Sequence, residues 1–193
     1  MLAPATGQGH SGHMTTSISI RSDAALASRL NRLRAGVLGA NDGIVSTAGL
    51  VFGVAGATSD SVALFIAGVA GMVAGALSMG GGEYVSVSTQ RDTEQAAGVA
   101  PEHRTSPWQA ASASVVSFVL GALIPLLGLV LAPVPVRLPV TITAVLVALA
   151  VTGFTSALLS GSRATRPVLR NLIVGTVAMG LTYAAGSLVG TVL

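Results

Sequence analysis

Two carboxylates, a thioether and two small polar side chains interrupt stretches that are otherwise aliphatic or glycine-rich. Asn41 and Asp42 lie inside "LGANDGIVSTAGLVFGVAG", with Ser46 one helical turn beyond Asp42. Met79 and Glu83 stand four apart in "AGMVAGALSMGGGEYVSV", a spacing that puts both on one helical face. Carboxylate oxygens suit hard divalent cations, whereas a thioether is softer and favours later transition metals. A mixed oxygen and sulfur set therefore leans toward Fe2+ or Mn2+ over Mg2+ or Ca2+. The apolar stretches hold no histidine or cysteine, so a tight zinc trap is not expected. A weak site is what a conduit needs, because the ion must also leave. Asp42, Met79, Glu83, Asn41 and Ser46 are the candidate metal ligands. Each also has a plainer role when taken alone: Met79 as packing filler, Glu83 reaching toward the interface, Asp42 capping a kinked helix.

The elements that must position these residues follow from composition. The 193 residues are 51% hydrophobic and 9% charged, with a mean hydropathy of +0.77. A soluble domain carries about a quarter charged residues, so most of this surface is expected to face lipid. The length suits one membrane domain. Cysteine is absent, which excludes disulfides, thiolate metal sites and a cysteine nucleophile. No catalytic residues, resident cofactor or nucleic-acid partner are expected.

Apolar segments near 35–57, 62–88, 110–131, 138–161 and 168–192 each approach the ~20 residues a spanning helix needs. The expected fold is thus an all-α membrane protein of five transmembrane helices in a domain over 35–193. Residues 1–22 read as a disordered tail without the apolar core of a signal peptide, with His10 and His13 as tail histidines. Residues 23–34 read as a short amphipathic helix on the membrane surface. "TQRDTEQAAGVAPEHRTSPWQ" reads as a long polar loop between the second and third spans.

Orientation follows from arginine, which supplies all ten basic residues. An N-terminus in the cytoplasm puts Arg21, Arg29, Arg32, Arg34, Arg91, Arg104, Arg163, Arg166 and Arg170 inside and only Arg137 outside. The C-terminus then lies outside. Depths follow at 1.5 Å per residue: Asp42 sits ~10 Å in on the way up, Glu83 ~8 Å and Met79 ~13 Å on the way back. An ionised Asp at the centre of such a helix costs ~3 kcal/mol, and buried acids of this kind face a bundle interior or a water-filled path. Glycine pairs four apart, Gly39/Gly43, Gly49/Gly53, Gly71/Gly75 and Gly186/Gly190, let helix backbones approach closely. A small five-helix unit is expected to bury its polar residues against a second copy, as a homodimer.

The motifs "LGANDGIVSTAGLVFGVAGA" and "AGVAGMVAGALSMGGGEYVSVSTQRDTE" resemble the vacuolar iron transporter family, most strongly over about 34–94. The resemblance extends more loosely to "GALIPLL" and to "RNLIVGTVAMGLTYAAGSLVG". It implies a five-helix dimer in the lipid bilayer that exports Fe2+ or Mn2+ from the cytoplasm by proton antiport. The metal path would run at the dimer interface, lined by Asp42 and Met79, with Glu83 matching the acid of the "GEY" element. Iron-transporting members carry a long glutamate-rich insertion between the second and third spans. This chain resembles the short, nodulin-like form without it, and Glu102 and His103 stand as a remnant loading site or as solvated loop. The membrane would be the plasma membrane of a bacterium or a vacuolar-type organelle membrane of a eukaryote. Two other functions fit an intramembrane acid. One is a small proton-coupled organic-cation exporter, which wants aromatic walls in a chain only 4% aromatic. The other is a non-transporting membrane scaffold.

Overall fold

A computed structural model describes the backbone of residues 11–192, and side chains at Leu30 and from Arg32 onward. Residues 1–10 with His10, the side chain of His13 and Leu193 lie outside the described residues. Five long helices follow one another: α1 (Ser11–Ala57), α2 (Ser61–Ala96), α3 (Pro107–Leu131), α4 (Arg137–Ser160) and α5 (Thr165–Val192). All five contain stretches long and apolar enough to cross a membrane, the first being Arg32–Ala57. The all-α class and the five apolar helices agree with the sequence reading.

Two boundaries differ from it. Helix α1 runs without a break from Ser11, so residues 23–34 are continuous with the first span, and 11–22 are helical as well. Helix α2 continues to Ala96, through residues expected to be loop. Polar side chains here stabilise the helix instead of ending it. Gln90 Nε2 donates to Glu94 Oε1 at 3.0 Å and Thr93 Oγ1 to the Thr89 carbonyl at 3.0 Å, both one turn apart. The helix stops at Gly98, whose φ of 76° suits a residue without a Cβ. The Gly98 and Val99 amides donate to the Gln95 and Glu94 carbonyls, the two bonds of a Schellman motif. Helix α4 ends the same way at Gly161, φ 62°.

At the other end of α2, Asp60 caps the first turn, accepting from the Val62 amide at 3.0 Å. Only Thr58 to Asp60 separate α1 from α2, which makes them an antiparallel hairpin.

Helix α1 is the centre of the bundle. A Cβ at Gly39, Gly43 or Gly121 would strike the backbone of Ser114, Phe118 or Ala40, so α1 and α3 meet backbone to backbone. At the far end, Gly56, Gly186 and Gly190 meet Tyr183, Gly53 and Ala57 in the same way, which joins α1 to α5. Gly71 and Gly75 differ: they face the side chains of Leu50 and Phe118. Buried apolar groups fill the remaining gaps, with Ile44, Ala48 and Phe52 of α1 against Val145, Leu149 and Met179. Arg32 Nη1 donates to Gln109 Oε1 at 2.7 Å, tying α1 to α3 at the end that holds the α2–α3 and α4–α5 connections. Arg137 Nη1 donates to Ser61 Oγ at 2.7 Å at the opposite end.

Candidate metal site between the first two helices

The hairpin brings the returning face of α2 level with the Asp42–Ser46 turn of α1. A cavity of about 410 Å³ opens there, lined by Asp42 and Ser46 of α1, by Ser78, Met79 and Glu83 of α2, by Gly75 and Gly82, and by Phe118 of α3. Four of the five sequence candidates thus share one wall. Asn41 does not. Consecutive residues on a helix point ~100° apart, and Asn41 lines a separate cavity with Arg34 and Asn171. Its Oδ1 is buried there without a hydrogen-bond partner.

Both carboxylates keep free acceptor capacity. Ser46 Oγ donates to Asp42 Oδ1 at 2.9 Å, which orients the carboxylate and leaves Oδ2 uncommitted. Glu83 is 8% exposed and takes one ion pair, from Arg34 Nη2 to Oε1 at 3.5 Å. Arg34 is 60% exposed, so the pair is partly screened and holds Glu83 loosely. An ionised carboxylate offers about four acceptor positions, and these two use few of them. Gly75 and Gly82 add no side-chain bulk to the wall, and the Phe118 ring, fully buried, packs beneath Gly75.

Sequence reading missed Ser78, Phe118 and Arg34. Ser78 precedes Met79 and carried no separate signal. Phe118 enters because α3 presses on α1, a pairing that hydropathy does not encode. Arg34, near the start of the apolar stretch of α1, is long enough to reach Glu83. Glu94 serves the loop after α2, accepting from the Thr105 amide at 2.7 Å and the Thr105 hydroxyl at 3.1 Å. Glu102 and His103 lie on a short 3-10 turn. Among the described residues, no three of His, Cys, Asp and Glu cluster as a metal site. Any ion in the cavity therefore has two carboxylates, a thioether and hydroxyls to work with from one chain.

The chain matches the VIT family over residues 33–100 and 95–187. It is 42% identical to vacuolar iron transporter homolog 5 of Oryza sativa subsp. japonica over 82% of this chain and 80% of that one. It is 44% identical to vacuolar iron transporter homolog 2 of Arabidopsis thaliana, over 82% and 84% of the two chains. With homolog 3 of the same plant it shares 39% identity over 93% of this chain and 96% of the other. Both halves of the match carry the helices that enclose the cavity, and the chain belongs to the VIT family.

Proposed function

We propose that this protein carries Fe2+ or Mn2+ out of the cytoplasm in exchange for protons, as a homodimer. The observation that carries the reading is the cavity where Asp42, Ser46, Met79 and Glu83 converge inside two membrane-length helices. Two acids facing one space within lipid are costly unless a cation completes them. The donors favour a borderline divalent ion, and the relatives bear the name of iron transporters. A carboxylate that binds a metal and a proton at the same oxygens couples their flows by competition. The arginine-rich end, with Arg34, Arg163, Arg166 and Arg170, faces the cytoplasm by the positive-inside rule. The membrane is a vacuolar-type membrane or a plasma membrane. Phe118 is the one ring at the cavity, too little to cage an organic cation.

Transport by the purified protein in liposomes, with a metal-sensitive dye inside and a pH gradient imposed, tests this directly. The expected result is entry of Fe2+ or Mn2+ that quickens when protons can leave against it. Flux no greater than in empty liposomes would remove the transport reading. Flux indifferent to the gradient would remove the proton part alone.

Dimerisation rests on α2. Gly81 and Gly82 have nothing within 4 Å of an added Cβ. Exposed glycine in a helix costs about 1 kcal/mol against alanine, and small residues in spans serve close helix approach. A second copy on the Gly82 side of α2, which borders the cavity, would double the donors around the ion. Gly82→Leu should therefore elute as a folded monomer from a sizing column where wild type elutes as a dimer. Unchanged elution of the variant would move the interface elsewhere.

A further inference from the structure

Two concavities larger than the cavity at the proposed metal site lie away from it, toward α4 and α5. One, of about 630 Å³, runs between α1, α4 and α5 with apolar walls that include Leu33, Val37, Leu159 and Val174. The other, also about 630 Å³, lies at the α4–α5 turn and is lined by Arg163, Arg166, Arg170, Ser162 and Thr165. Arg170 lines both, so an apolar groove opens onto a basic rim.

The rim has no counter-charge of its own. No aspartate or glutamate lines either cavity. Among the described residues, the one ion pair is Arg34–Glu83, and Arg163, Arg166 and Arg170 have no hydrogen-bond or ion-pair partner. Hydroxyls of Ser162 and Thr165 stand beside them. The first turn of α5 begins at Thr165, which adds the positive end of a helix dipole to the same place. Deeper in the groove, Asn41 Oδ1 is a buried acceptor that lacks a donor, a defect that an occupant bringing hydroxyls or water would relieve.

We propose that this groove and its rim bind an anionic phospholipid of the adjoining leaflet. The phosphate would sit among Arg163, Arg166 and Arg170, and an acyl chain along Leu33, Val37, Leu159 and Val174. A free anion would match the rim and leave the apolar walls uncovered. A second copy of this chain brings few acids, with Asp and Glu together numbering 7. A phospholipid supplies both chemistries in the order in which the groove presents them. Guanidinium forks bind phosphate oxygens two at a time, and basic pockets between spanning helices favour anionic headgroups.

Native mass spectrometry of the full-length protein, delipidated and offered equimolar phosphatidylglycerol and phosphatidylcholine, tests the site. Wild type should retain phosphatidylglycerol at least tenfold over phosphatidylcholine. The double variant Arg166→Gln/Arg170→Gln should lose affinity about 25-fold, near fivefold per arginine. Both arginines are exposed and unpaired, so neither change threatens the fold. Arg91→Gln removes an exposed charge at the end of α2 and should bind as wild type does. Equal retention of the two lipids, an unaffected double variant, or a loss in Arg91→Gln as large as in the double variant would each overturn the proposal. So would displacement of the lipid by millimolar inorganic phosphate, which would make the rim a site for free anions.

Discussion

Asp42→Asn should lower Fe2+ or Mn2+ transport in liposomes about 100-fold while leaving the folded protein intact. The substitution keeps the shape of the side chain and an oxygen that can still accept from Ser46 Oγ, now 2.9 Å from Asp42 Oδ1. What it removes is the negative charge that faces the cavity. Charge-assisted contacts are roughly twice as strong as neutral ones. Losing ~2.7 kcal/mol at the site corresponds to the 100-fold fall. The same change removes one of the two carboxylates at which a proton would compete with the metal, so residual flux should respond more weakly to a pH gradient. Initial rates at saturating and limiting metal, with elution volume as the control for folding, measure both effects. Wild-type rates in Asp42→Asn would sink the assignment of this residue. Asp42→Glu, which restores the charge at a longer reach, should recover part of the rate.

The second large effect is on the fold. A Cβ at Gly43 would overlap the Phe118 carbonyl oxygen, with the Phe118 Cα at 3.0 Å. Neither atom can rotate away, because both belong to helix backbone. Gly43→Ala therefore forces α1 and α3 apart, at the upper end of the overpacking range, about 3 kcal/mol. For a chain of this size that lowers the melting temperature by roughly 6–12 °C. Gly180 in α5 has nothing within 4 Å of an added Cβ, so Gly180→Ala should hold or slightly raise the melting temperature through helix propensity. Heating detergent-solubilised protein and measuring the surviving sizing peak distinguishes the two. Equal melting of both variants would mean that α1 and α3 do not touch as described.

Much of this was readable beforehand, and the parts that were not have physical reasons. Asp42, Met79 and Glu83 could be placed on one level because the short Thr58–Asp60 turn forces a hairpin and helix rise converts sequence position to depth. Asn41 lines a different cavity from Asp42, because neighbouring residues on a helix do not face each other. The end of α2 was misjudged because polarity marks where lipid stops. The helix itself stops where Gly98 permits a left-handed turn. Neighbour choice in lipid was the hardest to read. Leu50 or Val51 is equally apolar toward α2, α3 or bilayer, so the pairing of α1 with α3 depends on backbone fit at Gly39, Gly43 and Gly121.

The glycine contacts also divide the bundle by stiffness. Helices α1, α3 and α5 touch through backbone, which does not yield without separating the helices. Helix α2 rests differently: its glycines Gly68, Gly71, Gly75 and Gly80 meet the ends of Leu126, Leu50, Phe118 and Val115. Side-chain tips change rotamer, and helices cushioned by them can slide by small shear steps while rigid neighbours stay put. Met79 and Glu83 ride on the helix that can slide, and Asp42 is fixed to the frame it slides against. If the proposed site holds an ion, one half of it would be a moving part and the other half its anvil.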